Sequence, residues 1–204
     1  MVGVSGATGG RVGEIVVLRH GQTEWSRGGQ HTGLTDLELL PEGEEQARAL
    51  RSRLGSREFA AVWVSPLQRA ARTAELAGLT ATGADPDLVE LDYGGYEGRT
   101  TAEISTELGR EWSIWTDGTV PGATPGETLD QVAVRVDRVL DRARARLSDG
   151  DVALVAHGHV LRVLTARWLG LDPRAGALFA LPAAAYGVLG HEHDRPVLTG
   201  WALA

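Results

Sequence analysis

Two short apolar runs in this chain each stop at a histidine–glycine pair, and that repetition limits the folds open to it. Glu14-Ile-Val-Val-Leu18 runs into Arg19-His20-Gly21, and Asp151-Val-Ala-Leu-Val-Ala156 runs into His157-Gly158. Continuous apolar runs of this length read as strands buried on both faces, which is the habit of a parallel sheet covered by helices. A third such run, Ala60-Ala-Val-Trp-Val64, lies between them. The intervening stretches have helical spacing. Residues 41–54 place Ala47, Leu50 and Leu54 on one face, with Pro41 in the first turn. Ser65-Pro66 reads as the start of a helix reaching about residue 77, with the serine as its cap. Residues 101–108 read as a short helix, and residues 127–147 as a long amphipathic one carrying Val132, Val136, Val139, Leu140, Ala143 and Leu147. A helix over about 159–169 follows His157-Gly158. Residues 79–91 read as extended and 118–126 as a Pro/Gly-rich loop. The tail reads as short strands over 177–181, 186–190 and 196–203, with a turn at His193-Asp194. The expectation is an α/β fold with a mostly parallel central sheet flanked by helices on both faces. Residues 14–204 are expected to form one domain behind a flexible tail, 1–13.

Composition narrows the chemistry. The 204 residues contain no cysteine, which removes disulfides, thiolate catalysis and cysteine-held metals. A net charge of −7 argues against nucleic acid or an anionic membrane as partner. No run approaches the ~20 apolar residues of a membrane span, and the first fourteen residues lack a secretory pattern, so a cytoplasmic location is expected. If the ligand is an anion, its positive site must be local and built from a few arginines.

In open α/β sheets, ligands bind beyond the carboxyl ends of the strands, where Arg19-His20-Gly21 and His157-Gly158 both fall. Phosphoryl transfer needs a nucleophile, positive charge around the phosphate oxygens and a proton for the leaving oxygen. His20 is a candidate nucleophile. Arg19 can clamp phosphate with its planar fork, and Arg69, with Arg72 as a further candidate, lies on the helix after Ser65-Pro66. His157 and Gly158 open a helix, whose free N–H groups favour an anion. Glu90 precedes a Gly-rich turn and can offer a proton; Asp92 and Glu97 are lower-ranked alternatives.

Four segments together give a resemblance. Leu18-Arg-His-Gly-Gln-Thr-Glu-Trp25 is similar to the Arg-His-Gly signature of the histidine phosphatase superfamily, in its phosphoglycerate-mutase-like branch. The Ser65–Ala74 segment resembles its second-arginine motif, Glu90 with Tyr93-Gly-Gly-Tyr-Glu-Gly98 its acid-bearing motif, and Val155-Ala-His-Gly158 its second-histidine motif. Narrower features, His31-Thr-Gly-Leu-Thr-Asp36 and His157-Gly-His159 among them, resemble actinobacterial acid phosphatases and, more distantly, sedoheptulose-bisphosphatase-type enzymes. The resemblance implies a phosphoglycerate-mutase-like fold with a loop cap over the strand ends, built from residues 25–36 and 112–125. It implies His20 as nucleophile, Arg19, Arg69 and His157 around the phosphate, Glu90 as proton donor, and Thr32 and Gly33 at the substrate mouth. Ser26 stands where the family commonly has asparagine, and is expected to donate to phosphate with a shorter reach.

The implied activity is hydrolysis of a small phosphomonoester through a phosphohistidine, with no metal or other cofactor. Neutral His20 attacks, a protonated His157 helps hold the charge, and the rate is expected to peak between about pH 5 and 7. A phosphoglycerate mutase and a catalytically silent phospho-ligand binder are the rivals. The chain lacks the longer basic insertion that such mutases usually carry between Glu90 and His157, which favours hydrolysis. The Gly3–Gly10 run resembles a dinucleotide-binding loop but precedes a strand, so it reads as tail. His191-Glu-His-Asp194 reads as an exposed hairpin tip rather than a metal site. Trp112 and Trp115, three apart, read as one helical face, in the core or at the pocket mouth.

Overall fold

In the computed structural model, which describes residues 12–204, side-chain alternation along the first strand sorts the interior into two cores. Ile15 and Val17 of Ile15–Arg19 (β1) join one buried cluster, and Val16 and Leu18 join another. Successive strand residues point to opposite faces, so a strand apolar at every position must be covered on both. The other strands are Phe59–Val64 (β2), Gly83–Ala84 (β3), Asp151–Ala156 (β4), Tyr186–Glu192 (β5) and Arg195–Leu203 (β6). The helices are Glu24–Gly28 (α1), Pro41–Leu54 (α2), Gln68–Leu76 (α3), Thr101–Leu108 (α4), Leu129–Arg144 (α5) and Gly158–Trp168 (α6).

The six strands lie in the order β3-β2-β4-β1-β5-β6. β3, β2, β4 and β1 are mutually parallel, and β5 and β6 extend the sheet as an antiparallel hairpin. Val132, Val136 and Val139 of α5 and Val160, Leu161 and Leu164 of α6 cover the Ile15 face. Leu50 and Leu54 of α2 and Ala70 and Ala74 of α3 cover the Val16 face. Among the described residues no helix is long and apolar enough to cross a membrane.

The expected tail falls, over residues 1–11, outside the described residues. Gly13 already belongs to the domain, since its N–H donates to the Leu147 carbonyl at 2.9 Å. Three local expectations are corrected. Ser65 caps no helix: α3 begins at Gln68 behind Leu67, and the serine hydroxyl is held elsewhere. Residues 177–181 are not a strand but the end of a 3₁₀ turn, Pro173–Leu178, and irregular chain after it. Their carbonyls at Ala177 and Leu181 accept from Arg162 and Arg19 instead of a neighbouring strand. Residues 112–115 are not helical. The His193–Asp194 tip is a tight hairpin turn, with both residues in the left-handed region at φ 47° and 64°.

Candidate active site

Register brings the two histidines together. Arg19 pairs with Ala156 across β1 and β4, so the next residue on each strand, His20 and His157, emerges at the same sheet edge. Their ring centroids lie 5.1 Å apart, edge to face. Gly21 has a steric reason to follow His20. A Cβ there would sit 2.2 Å from the Gly43 carbonyl oxygen, where the first turn of α2 presses against the loop.

Each ring has a tautomer fixed by its partners. His20 Nδ1 lies 2.7 Å from the Gly21 carbonyl oxygen. A carbonyl only accepts, so Nδ1 carries the proton and Nε2 keeps its lone pair. Burial, then the charges of Arg19 and Arg69, hold the His20 pKa well below 6.5, against a smaller opposing effect of the Gly21 carbonyl. His157 is set the other way. Arg69 Nε donates to its Nδ1 at 3.1 Å, which leaves Nε2–H to donate to Ser65 Oγ at 2.7 Å. Burial, then His20, Arg69 and Arg19, hold the His157 pKa well below 6.5 too. The ring is therefore neutral with both nitrogens engaged, and the imidazolium expected beside a phosphoryl group would need that group's negative charge to raise its pKa.

Arg19 donates through Nη1 to the Leu181 carbonyl at 2.6 Å. Its Nε is the one buried side-chain nitrogen or oxygen among the described residues with no hydrogen-bond partner. An unpaired buried donor costs about 1–3 kcal/mol, so this nitrogen is set for an acceptor that arrives with the ligand. Gly158 allows the arrangement: a Cβ there would lie 3.2 Å from the Arg19 guanidinium carbon. Arg69 is buried, and besides His157 it clamps the loop opposite, donating to the carbonyls of Thr35 at 2.8 Å, Gly33 at 2.9 Å and Thr32 at 3.3 Å. Arg72 is not at the site. It pairs with Glu44 and Glu75 on the surface.

Glu90 is buried under the first turn of α6. Its carboxylate accepts the N–H groups of Leu91 at 2.9 Å, His159 at 3.0 Å and Val160 at 2.9 Å. The acceptor at this helix terminus is thus the Glu90 carboxyl group itself, where phosphate was expected to use those N–H groups. Asp92 and Glu97 hold backbone. Asp92 accepts from Gly94 N–H, Thr124 Oγ1 and Gly126 N–H, and Glu97 from the N–H groups of Gly33 and Thr35.

A cavity of about 170 Å³ opens here, lined by Arg19, His20, Glu90, Gly158, Ser26 of α1 and, from the loop after it, residues 29–32. Tyr93, His159 and Arg162 complete its wall. Ser26 reaches the lining, but its hydroxyl proton goes to the Thr23 carbonyl at 3.1 Å and its oxygen accepts Thr23 N–H at 2.8 Å. That capping box of α1 corrects the expected donation from Ser26 to phosphate. Thr32 is on the lining as expected, whereas Gly33 is buried behind it with its N–H on Glu97. Trp112 and Trp115 stand behind the wall: Trp112 meets the His31 ring at 5.3 Å and Trp115 meets His159 at 5.1 Å.

Sequence reasoning missed Ser65, Tyr93, His31 and Arg162. Ser65 carried the same signal as the two histidines, for it is the first residue past β2, and its N–H donates to Val155 on β4. Arg162 lies five residues after His157 on the helix that the site opens. Burial holds His31 at about 4 and keeps the His159 pKa well below 6.5, so the wall rings are neutral. Tyr93 Oη lies 2.6 Å from His159 Nδ1, and burial, then Glu90, raises the tyrosine pKa well above 10.

Comparison with known proteins places the chain in a family. Residues 15–204 match the sequence profile of the histidine phosphatase superfamily (branch 1). An acid phosphatase of Mycobacterium tuberculosis is 41% identical over 181 residues, 88% of this chain and 87% of that one. Sedoheptulose 1,7-bisphosphatase of Saccharomyces cerevisiae is 37% identical over 186 residues, 76% of this chain and 67% of that one. A solved structure of an open reading frame from Mycobacterium tuberculosis superposes with a TM-score of 0.89 at 38% identity, covering 95% of this chain and 99% of that one. The chain is a phosphatase, and it belongs to the histidine phosphatase superfamily.

Proposed function

We propose that the chain hydrolyses small phosphomonoesters through a phosphohistidine on His20. The observation that carries this reading is the Gly21 carbonyl at His20 Nδ1, which leaves Nε2 unprotonated on a residue lining the cavity beside the unpaired Nε of Arg19. In the first step Nε2 forms a bond to phosphorus as the ester P–O bond breaks, and the leaving oxygen takes a proton from Glu90. In the second, water gives that proton back to Glu90 as its oxygen attacks phosphorus, and the P–N bond breaks to release inorganic phosphate. Arg19 meets the charge that develops on the phosphoryl oxygens, in a water-poor site where such contacts are strongest. His157 and Arg69 act as one braced unit beside it.

Rapid acid-free denaturation during turnover of a ³²P-labelled phosphomonoester tests the scheme. Acid-labile, base-stable label is expected on the wild-type chain and none on His20→Ala. Label-free wild type that still turns over would overturn the phosphohistidine. Assaying 3-phosphoglycerate for phosphate release against conversion to 2-phosphoglycerate separates hydrolysis from mutase chemistry, and hydrolysis is the expected outcome.

A further inference from the structure

Every buried or half-buried arginine among the described residues has a carboxylate partner except three. Arg57, Arg72, Arg99, Arg135 and Arg167 are paired. Arg19, Arg69 and Arg162 are not, and Arg162 lines the same cavity as Arg19 and His20. The first two are accounted for by the phosphoryl group and by the His157 brace. Arg162 has no part in that scheme. A half-buried cation held only by neutral partners has its lost hydration replaced in part, and an anionic ligand supplies the counter-charge it lacks.

The guanidinium is also held still. Nε donates to the Gly176 carbonyl at 2.9 Å and Nη2 to the Ala177 carbonyl at 3.0 Å. Its carbon sits 4.5 Å from the Trp115 ring centroid, so the plane is stacked as well as bonded. Those two bonds occupy one edge of the fork. The other edge, Nη1–H with the second Nη2–H, has two parallel donors, the geometry that meets both oxygens of a carboxylate. Burial, then the repulsion of Arg19, lowers the Arg162 pKa, against a smaller opposing effect of Glu90.

We propose that Arg162 reads a carboxylate on the substrate, so that the chain prefers small phosphomonoesters bearing a carboxylate over the same esters without one. The cavity is only about 170 Å³, which places the carboxylate on the same short carbon skeleton as the phosphate. The inference rests on the phosphatase reading for the place of the phosphoryl group, but not on the phosphohistidine.

The test is a binding ratio. Full-length His20→Ala, which cannot turn substrate over, is titrated by calorimetry with 3-phosphoglycerate and with glycerol 3-phosphate, alone and combined with Arg162→Met or Arg162→Lys. With Arg162 present, the acid is expected to bind about 10- to 100-fold tighter, the worth of a charge-assisted bidentate contact. Arg162→Met should bring the ratio close to one and Arg162→Lys should leave it between, because lysine keeps the charge and loses the fork. The ratio is read because a general loosening of the 176–177 turn weakens both ligands alike. A ratio near one with Arg162 present, or one that survives Arg162→Met, overturns the assignment. So does tighter, Arg162-dependent binding of fructose 1,6-bisphosphate, which would make the second anion a phosphate. Phosphate release by the wild-type chain is followed in parallel. Release from both esters with a ratio near one sinks only the role of Arg162, whereas an intact ratio without release upholds that role and sinks the hydrolase reading.

Discussion

His20 and His157 follow neighbouring parallel strands, are both buried and are both held neutral, yet their nitrogens are disposed oppositely. A backbone carbonyl engages one nitrogen of His20 and leaves the other with a lone pair on a cavity-lining residue. His157 has no such freedom, with Arg69 on one side and Ser65 on the other. Neither strand position nor pKa separates the proposed attacker from the braced ring. What separates them is the partner set: a carbonyl that accepts leaves His20 the lone pair the proposed nucleophile needs, and a guanidinium that donates makes His157 a brace. Arg69 then extends the brace to the 32–35 loop, so His157 links the strand ends to the cavity rim through a single arginine.

The largest effect that can break this comparison is on turnover. His20→Ala is expected to lower kcat by about 10⁴-fold or more, since it removes the proposed phosphoryl acceptor. His157→Ala removes the ring held between Arg69 and Ser65 and leaves the buried Arg69 Nε without its acceptor, which should cost about 10²- to 10³-fold, as loss of one positioned electrostatic contact does. Steady-state rates with p-nitrophenyl phosphate measure both. Equal losses would mean that the two rings share the chemistry and that the partner sets do not sort them.

The fold and the two histidines were legible because they depend on local pattern. Unbroken apolar runs, a Pro at the first turn of α2, and Val and Leu at helical spacing in α5 are each readable within a dozen residues. What could not be read is how side-chain protons are shared across long separations. The serine at 65 looks like a cap next to proline, and only its contact with a residue 92 positions away shows that it bonds His157. Ser26 looks like a short substitute for a phosphate donor, and its proton is diverted to Thr23 three residues back. Glu90 was legible as an acid, but that it also caps α6 depends on a contact spanning 70 positions. Arg162 was passed over because a lone arginine on an amphipathic helix has the same pattern whether it faces solvent or a cavity.

A smaller change sharpens the brace side alone. Ser65→Ala removes the acceptor of His157 Nε2–H while leaving Arg69 in place. A buried donor without a partner costs about 1–3 kcal/mol, which in a chain of this size lowers Tm by roughly 2–4 °C per kcal/mol. The rate loss should be smaller than for His157→Ala, because the ring itself stays. Differential scanning calorimetry beside the p-nitrophenyl phosphate assay checks both, and an unchanged Tm would show that the hydroxyl does not hold the ring.

The smallest effect concerns the nucleophile's proton. Burial is the largest cause of the lowered His20 pKa, and Arg19 is the next. A lowered pKa means that the attacking, neutral form persists as pH falls through 6.5 and is lost only well below it. The acid limb of the rate profile should therefore lie below 6.5, with activity retained at mildly acidic pH. In Arg19→Gln one of the lowering causes is gone while the burial remains, so the His20 pKa should rise yet stay below 6.5. Nitrogen-15 NMR of the labelled imidazoles reads this directly and does not need the variant to be active. It also reads the tautomer, and in both proteins the proton should be on Nδ1, because the Gly21 carbonyl that selects it is untouched. An Nε2–H tautomer in the wild-type chain would remove the lone pair from the cavity side and with it the distinction between the two histidines.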